Sequence, residues 1–201
     1  MNLSGNLTKE IKFIKTKLTS NDIEFIDVEI KETKGILIFV NNVVDKKFIG
    51  ELVLSPIKQL KEMPNDKKLF DSFLSPEKKI IKDINECIKE IASGQCILIF
   101  DGKKFAFSFG VQKVEKRAIQ EPPTSTVIKG PREGFVESLT VNLSLLRRRI
   151  KSEKLVVENY KVGKTSSTPL SIVYISSAVD KKLLKQIRDK IKKIDIEWVL
   201  D

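Results

Sequence analysis

The chain has no histidine and only two cysteines among its 201 residues. Without histidine, the His-dependent catalytic triads and dyads are excluded and most zinc-hydrolase chemistry is disfavoured. Two cysteines do not make the disulfide framework of a small secreted domain. Cys87 falls on the apolar face of a helical pattern and Cys96 opens the apolar run CILIF, so both are predicted to be small buried hydrophobic residues. We therefore expect no catalytic residues, no cofactor and no metal site.

Long apolar runs are also missing. No run approaches the roughly 18 to 20 residues of a membrane-spanning helix. The N-terminal segment MNLSGNLTKEIKFIKTKL is charged and amphipathic, and it lacks the apolar core of a secretion signal. Hydrophobic residues make up 41% and charged residues 32% of the chain, which is typical of a globular protein and not of a disordered one. We expect this polypeptide, as given, to be soluble and cytoplasmic.

The formal net charge of +10 allows a nucleic-acid-binding module as one interpretation. The lysines are spread over every segment, however, and no basic strand with interleaved aromatic residues accompanies them. Solvated helix faces explain the charge more simply. If the charge attracts a partner, an anionic membrane surface is favoured over nucleic acid, and no nucleic-acid partner is expected.

An internal repeat organises the chain. ILIFVNNVVDKKFI at 36–49 aligns without a gap on SIVYISSAVDKKLL at 171–184, and a strand and an amphipathic helix are predicted before each copy. Chance similarity of two N-capped helices is the alternative. The repeat predicts an α/β fold with mixed sheets, in which two related subdomains are each built on an α-β-β-α unit. We place the subdomains at 1–113 and 131–201, with a proline-containing linker at 114–130.

Between the two copies, further elements are predicted from local signals. Ser75-Pro76-Glu77 is a helix-start pattern and favours a helix as far as Ser93, with Gly94 as its C-terminal stop. CILIF, DGKK and FAFSFGV predict a β-hairpin with an Asp-Gly turn that extends the first sheet. Pro56 is expected to kink or restart the helix that Asp45 caps. The final IEWVL is expected to form a short strand.

The segment from Glu121 to Ile150 is the candidate centre of function. Pro122 and Pro123 favour an extended loop, and Gly130-Pro131 favours a helix start. An apolar stripe then predicts a helix from Arg132 onward, carried by Phe135, Leu139, Leu143, Leu146 and Ile150. Asn142 lies at the edge of this stripe, where a polar side chain needs a partner.

The helix start GPREGF offers two alternatives. Its free N–H groups at Arg132, Glu133 and Gly134 could hold a carboxylate of a ligand. Alternatively, Arg132 or Lys129 forms an intramolecular latch with Glu121. Nucleotide binding is disfavoured, because the segment lacks the P-loop lysine and the GxGxxG spacing.

The sequence from Glu121 to Ile175 resembles the signature region of the A subunit of spore germinant receptors from Bacillus and Clostridium relatives. The resemblance rests on Glu121-Pro122, GPREGF at 130–135, Glu137, Asn142, Arg147 to Arg149, Val162-Gly163 and Tyr174-Ile175. The family carries an acidic residue after EPP and often Arg before GPREGF, where this chain has Ser125 and Lys129. A latch that relies on a bidentate arginine at 129 is therefore not implied, since lysine lacks the planar fork.

The resemblance implies a non-enzymatic N-terminal region of a larger protein of the spore inner membrane, on the cytoplasmic side. It implies an integral membrane B subunit, a lipoprotein C subunit and further A subunits as partners, and a small-molecule nutrient as a possible ligand. We expect the ligand-binding or inter-subdomain interface residues to be Glu121, Arg132, Glu133, Gly134, Glu137, Asn142 and Arg147. The hypothesis is that subdomain orientation transmits germinant binding. The alternatives are a non-sensing assembly scaffold and, more weakly, the nucleic-acid-binding module.

Overall fold

A computed structural model describes residues 1–112 and 134–199, which we refer to as the first and the second unit. The first unit contains α1 (Leu7–Lys17), β1 (Ile23–Ile30), β2 (Thr33–Val40), α2 (Lys46–Ile49), a π-helical turn (Gly50–Leu54), α3 (Ser55–Gln59), α4 (Asp66–Ser72), β3 (Lys78–Ile81), α5 (Ile84–Ala92), β4 (Cys96–Phe100) and β5 (Ala106–Phe109). The second contains α6 (Leu139–Arg149), β6 (Leu155–Val162), β7 (Thr168–Ile175) and α7 (Lys181–Lys192). None of the helices in these ranges has the length and hydropathy of a bilayer-spanning segment.

The first unit is a five-stranded antiparallel sheet in the order β1-β2-β4-β5-β3 with helices on both faces. On one face, α1 and α5 bury a core around Ile14, Ile38 and Ile91. On the other, α2 to α4 bury a core around Phe39 and Phe73. Because both faces are covered, β4 is buried along its whole length, which explains its unbroken apolar run.

The α-β-β-α repeat predicted from the sequence is confirmed by the element boundaries. Each boundary of α1 and β1 recurs 132 residues later, from Leu7 to Leu139 and from Ile30 to Val162. Each boundary of β2, and the start of the helix that follows it, recurs 135 residues later. The difference of three residues lies in the hairpin loop, which is longer between β6 and β7 than between β1 and β2.

The helix caps repeat as well. The carboxylate of Asp45 accepts the N–H groups of Lys47 and Phe48, and that of Asp180 accepts those of Lys182 and Leu183 at the equivalent positions. Before the first helix of each copy, the loop is held by one polar side chain. The backbone N–H of Ser4 donates to Glu10 at 2.7 Å, and that of Val136 donates to Asn142 at 2.8 Å. Asn142 therefore has the structural role that Glu10 has in the first copy.

Two of the predicted element starts are wrong. Residues 78–81 form β3, and α5 begins only at Ile84, where Asp83 supplies the N-cap. The Ser-Pro-Glu signal is overridden because β3 pairs with the otherwise open edge of β5, from Lys78 opposite Phe109 to Ile81 opposite Ala106. Likewise, α6 begins at Leu139 with Ser138 as N-cap, so Gly134 to Glu137 are not helical.

The ends of the predicted stripe and of the chain also differ from expectation. Phe135 lies outside the helix and is 70% exposed, so the apolar stripe of α6 begins at Leu139. IEWVL forms no strand over 196–199. This segment instead closes over the β6–β7 loop, where Lys164 donates its N–H to the Ile196 carbonyl. The β4–β5 hairpin and the stop at Gly94 (φ +89°) are confirmed.

Pro56 acts through a local change of helix type. The preceding turn, Gly50–Leu54, is π-helical, and the N–H of Ser55 bonds to the carbonyl of Gly50. In a regular α-helix the ring of Pro56 would meet the carbonyl four residues earlier, and the wider turn relieves this clash. The helix continues through the proline instead of restarting.

Candidate functional site

The two units are joined by a buried ion pair. Arg147 on α6 donates from Nε to Oδ2 of Asp22 at 2.8 Å and from Nη2 to Oδ1 at 2.6 Å. The side chains are 2% and 1% exposed, respectively. Two parallel bonds to one carboxylate match the planar fork of arginine, which lysine cannot reproduce. We refer to Ser20, Asp22 and Arg147 as the clamp.

Ser20 completes the clamp and connects it to the second sheet. Its Oγ donates to Asp22 at 2.6 Å and accepts from Nη2 of Arg147 at 2.7 Å and from the N–H of Val157 at 2.7 Å. The hydroxyl thus uses its one donor and both acceptor positions. The N–H of Asn21 also donates to the carbonyl of Val157 at 2.8 Å. The α1–β1 turn is therefore held to β6 by backbone and side-chain bonds together.

The clamp exists in only one of the two copies of the repeat. In the first copy the carbonyl of Asp22 accepts the N–H of Asn41, and in the second the carbonyl of Lys154 accepts that of Ser176, both at 2.8 Å. The backbone is conserved between copies, but the carboxylate is replaced by lysine. The acid at position 22 is thus specific to the place where the first unit meets the second.

A cleft of about 410 Å³ opens beside the clamp, between the two units. This volume lies in the range of small-molecule sites, roughly 300–1,000 Å³. The first unit supplies a polar wall and the second a mixed one, which includes Leu139, Thr140 and Leu143 of α6. The polar lining consists of Asn21, Asp22, Glu24, Asn41, Asn42, Asn159, Tyr160, Lys161 and Ser171.

The cleft carries opposite charges on its two walls. Glu24 belongs to the first unit and accepts the amide of Asn41 at 3.2 Å, while Lys161 belongs to the second unit. Ser171 donates to Asn159 at 2.8 Å, which fixes the amide of Asn159. The arrangement can bind a small polar molecule that has a cationic and an anionic end.

A second polar cluster lies on the opposite face of the β6–β7 sheet, under α7. Glu158 accepts from Tyr160 at 2.7 Å, from Tyr174 at 2.6 Å and from Nε of Arg188 at 2.9 Å, and it also bonds to Nη2 of Arg188. These donors, first that of Arg188, lower the pKa of Glu158 to about 2. The same pair raises the pKa of Arg188. The positions equivalent to Glu158 and Arg188 in the first copy are Ile26 and Val53, so the ion pair has no counterpart there.

The residues singled out from the sequence are not all brought together. Arg147 lies in the clamp. Asn142 lies one turn earlier on α6, and its side chain bonds to both backbone groups of Val136. Gly134 and Glu137 lie in the exposed segment before α6, so Gly134 is not at a helix N-terminus. Glu121, Arg132 and Glu133, and with them the predicted latch, the linker and the subdomain boundary, lie outside the described residues.

The sequence reasoning missed the other half of the site. Ser20 and Asp22 stand in a polar turn, SND, that is indistinguishable from a solvated loop without knowledge of its distant partner. One feature of the sequence does indicate that Glu158, Tyr160 and Tyr174 lie close together. They fall at alternate positions of two predicted strands and so share one face of the sheet. Within the described residues, no group of His, Cys, Asp and Glu is arranged to hold a metal ion.

Comparison with known proteins places this architecture. Residues 10–201 match the profile of the family described as Bacillus/Clostridium GerA spore germination protein. Spore germination protein KA of Bacillus subtilis is 31% identical over 207 residues, which cover 99% of the chain and 38% of that protein. Stage V sporulation protein AF of the same organism is 33% identical over 201 residues, covering 96% of the chain and 40% of that protein. The chain thus spans about two fifths of the length of these relatives.

The fold also has a solved counterpart. The N-terminal domain of the A subunit of the Bacillus megaterium spore germinant receptor GerK3 superimposes with a TM-score of 0.72 at 23% identity. The match covers 97% of this chain and 74% of that one. The α/β fold class expected from the sequence is therefore confirmed, and the structure adds that the paired strands are antiparallel.

Proposed function

Since the chain belongs to the Bacillus/Clostridium GerA spore germination protein family, we propose that it is the N-terminal region of a germinant-receptor A subunit and takes part in germinant sensing and signal transduction. In this role it is not an enzyme and uses no cofactor. Its two units form a coupling device, in which their relative orientation transmits a binding event to the membrane part of the receptor.

The clamp is the observation that carries this proposal. It is the buried polar link between the units, and it borders the cleft through Asp22. A ligand in the cleft touches both units, so its affinity depends on how they are oriented. A ligand shifts a conformational balance only by its differential affinity for the two states, and a site between two movable units supplies that difference.

The lining of the cleft indicates what kind of nutrient would bind. Glu24 on one wall and Lys161 on the other complement a zwitterion such as a free amino acid, and the asparagine amides supply further donors and acceptors. A sugar would use the amides and leave the two charges unpaired. We therefore place amino acids before sugars and purine nucleosides as candidates.

The partners follow from the same role. We propose that the full-length protein lies in the spore inner membrane with this region on the cytoplasmic side, and that it assembles with the B and C subunits and with other A subunits. Between residues 134 and 199, 14 lysines and arginines face 7 acidic residues. The second unit, at +7, is thus the part suited to lie near anionic lipid headgroups. Nucleic acid is not proposed as a partner.

The test is a thermal-unfolding series of the 201-residue chain with amino acids, sugars and purine nucleosides. A ligand that binds only the folded state raises Tm with concentration, by an amount set by the ratio of concentration to Kd. We expect a rise with at least one amino acid, and its loss in Glu24→Gln and in Lys161→Gln. Glu62→Gln, which removes an exposed acid away from the cleft, is the matched control and should keep the rise. A flat series that includes the germinant of the parent strain would contradict direct sensing.

A second candidate is a non-sensing scaffold for the receptor subunits, and the completeness of the clamp favours it. Three side chains and the backbone bond from Asn21 to Val157 hold the units in one arrangement, with every hydrogen-bonding position of Ser20 used. A scaffold would retain the other subunits in a pull-down from spore membranes and show no nutrient-dependent rise in Tm. A sensor would show the rise.

A further inference from the structure

Within residues 1–112 and 134–199, one edge of the second sheet has no neighbouring strand where the repeat predicts one. In the first unit, β2 pairs on one side with β1 and on the other with β4, from Gly35 opposite Phe100 to Ile38 opposite Ile97. The equivalent strand β7 pairs only with β6 among the described residues. Its positions equivalent to 35–38 are Leu170, Ser171, Ile172 and Val173, and all four are half-exposed.

This edge lacks the protection that the other outer strands of the described residues possess. Natural sheets discourage edge pairing by placing charged residues on their outer strands. Three of the four outer strands follow this rule: β1 has Glu24, Asp27 and Glu29, β3 has Lys78 and Lys79, and β6 has Glu158 and Lys161. The eight residues of β7, TPLSIVYI, include no charge. Among the described strands, β7 is therefore the outer strand with the least protection against pairing.

The helix α7 also carries exposed apolar side chains. Leu183 and Ile187 lie one turn apart on this helix and are 54% and 36% exposed. At the equivalent places of the first unit, Phe48 is also exposed, but Leu52 packs against the core around Phe39 and Phe73. Among the described residues, the second unit thus has no strand beside β7, and Ile187 is more exposed than its counterpart Leu52.

We propose that β7 receives β1 of a second copy of this chain, by antiparallel edge-to-edge pairing. β1 is also an outer strand, has the same length of eight residues, and carries three acids and no base. The second unit carries +7 between residues 134 and 199. The acids of β1 discourage pairing with another acidic strand, but β7 has no charge of its own and belongs to a unit of +7. The charges therefore favour β1 against β7, whereas β7 against β7 would bring two +7 units together.

The proposed function includes association between A subunits, and this pairing would supply the contact surface. The proposal rests on the proposed function only for its location in the receptor. Because β1 and β7 are different surfaces, the contact is head-to-tail. Such a contact closes into a ring if the rotation permits and otherwise grows as a filament. The β6–β7 sheet of each copy would extend the five-stranded sheet of the next copy.

The experiment is sedimentation equilibrium of the full 201-residue chain from about 1 µM to about 1 mM, concentrations at which free energies of roughly −8 to −4 kcal/mol are resolved. It is run at about 0.01 M salt, where the Debye length is ~30 Å, and repeated at about 1 M, where it is ~3 Å. We expect association beyond a dimer at low salt and less at high salt. A chain that stays monomeric throughout the low-salt series would overturn the proposal.

Three variants identify the two edges. Ser171→Glu places an acid on β7 against the acids of β1 and should weaken association roughly fivefold, the size of a cross-strand charge effect of ~1 kcal/mol. Ser171→Lys has a similar size but the complementary charge, and it should associate at least as well as the parent chain. Asp27→Lys, on β1, should weaken association. An equal mixture of Ser171→Glu and Asp27→Lys should associate again, because each supplies the edge that the other lacks.

Other outcomes are equally clear. If both substitutions of Ser171 weaken association and Asp27→Lys has no effect, the contact is β7 against β7 and the proposal is wrong. Far-ultraviolet circular dichroism checks that each variant is folded. A monomeric chain whose Tm still rises with a nutrient would overturn the pairing and leave the proposed sensing function intact, so the two can fail separately.

Discussion

Removing either charged residue of the clamp should cost far more stability than removing an exposed ion pair. Among the described residues, Arg147→Ala leaves the buried carboxylate of Asp22 with Ser20 as its side-chain donor, and Asp22→Ala leaves a buried guanidinium. Breaking a buried pair by removing one partner typically costs 3–5 kcal/mol. We therefore expect each single variant to lose about 3–4 kcal/mol, a large share of the roughly 5–15 kcal/mol that stabilises a domain.

The double variant distinguishes an uncompensated charge from lost packing. With both residues replaced by alanine no charge remains buried, so the loss should be smaller than the sum of the two single losses by about 2–3 kcal/mol. Lys31 and Glu62 form the matched control, because their side chains are 57% and 78% exposed at a distance of 3.3 Å. Their coupling should stay at about 0–1 kcal/mol.

The assay is urea denaturation followed by two signals. Far-ultraviolet circular dichroism reports on both units, and fluorescence reports on Trp198, the single tryptophan of the chain, which lies beside the β6–β7 loop. If the clamp ties the units together, the two transitions coincide in the parent chain and separate in Arg147→Ala. A coupling no larger than that of the control pair, with coincident transitions in every variant, would refute the reasoning.

Three further predictions follow from single side chains. Glu158→Gln should cost about 1–3 kcal/mol at neutral pH, less than the full pKa shift implies because the side chain of Arg188 is 38% exposed. The pKa of Glu158 in the folded protein, about 2, lies below its ordinary value of 4.5, so the stability that Glu158 contributes is present above pH 4.5 and disappears as the pH falls toward 2. The free energies of unfolding of the parent chain and Glu158→Gln should therefore converge near pH 2. Burial raises the pKa of the Cys87 thiol to about 12 and also raises that of Cys96. A thiol reagent at pH 8 should therefore modify the protein only after it is unfolded in urea. Rapid labelling of either cysteine in the folded protein would contradict their burial. Glu10→Ala and Asn142→Ala should each destabilise the protein by about 1–2 kcal/mol in thermal melts, because each leaves a loop N–H without its acceptor in its own copy of the repeat. Glu10→Gln keeps an acceptor and should cost less. Equal losses for Glu10→Ala and Glu10→Gln would contradict the equivalent roles of Glu10 and Asn142.

Local signals predicted those parts of the fold that depend on neighbouring residues. Asp45 and Asp180 cap helices as expected, because the cap bonds reach only two or three residues along the chain. The gapless alignment of 36–49 on 171–184 placed β2 and β7 correctly for the same reason. The prediction failed at residues 78–81, where pairing with β5 outweighs a helix-start pattern.

The candidate site was harder, because its partners are distant in sequence. Asp22 and Arg147 are 125 residues apart, and nothing in the turn that contains Asp22 indicates that its carboxylate is buried. The sequence indicates Arg147 only as one of several residues of a signature region, and the structure shows its bidentate partner. The residues of that region between 113 and 133 lie outside the described ranges, so their predicted roles stay predictions.

The central claim is that the clamp couples the two units during germination, and its most direct test uses Arg147→Lys in the full-length protein in spores. Lysine keeps the charge and the approximate length but cannot make two parallel bonds to Asp22, so the effect isolates the geometry of the clamp. The rate of germination is measured against nutrient concentration, with the receptor level determined by immunoblotting. We expect a normal protein level and a germination response that is shifted to higher nutrient concentration or lost. An unchanged response at an unchanged protein level would contradict it.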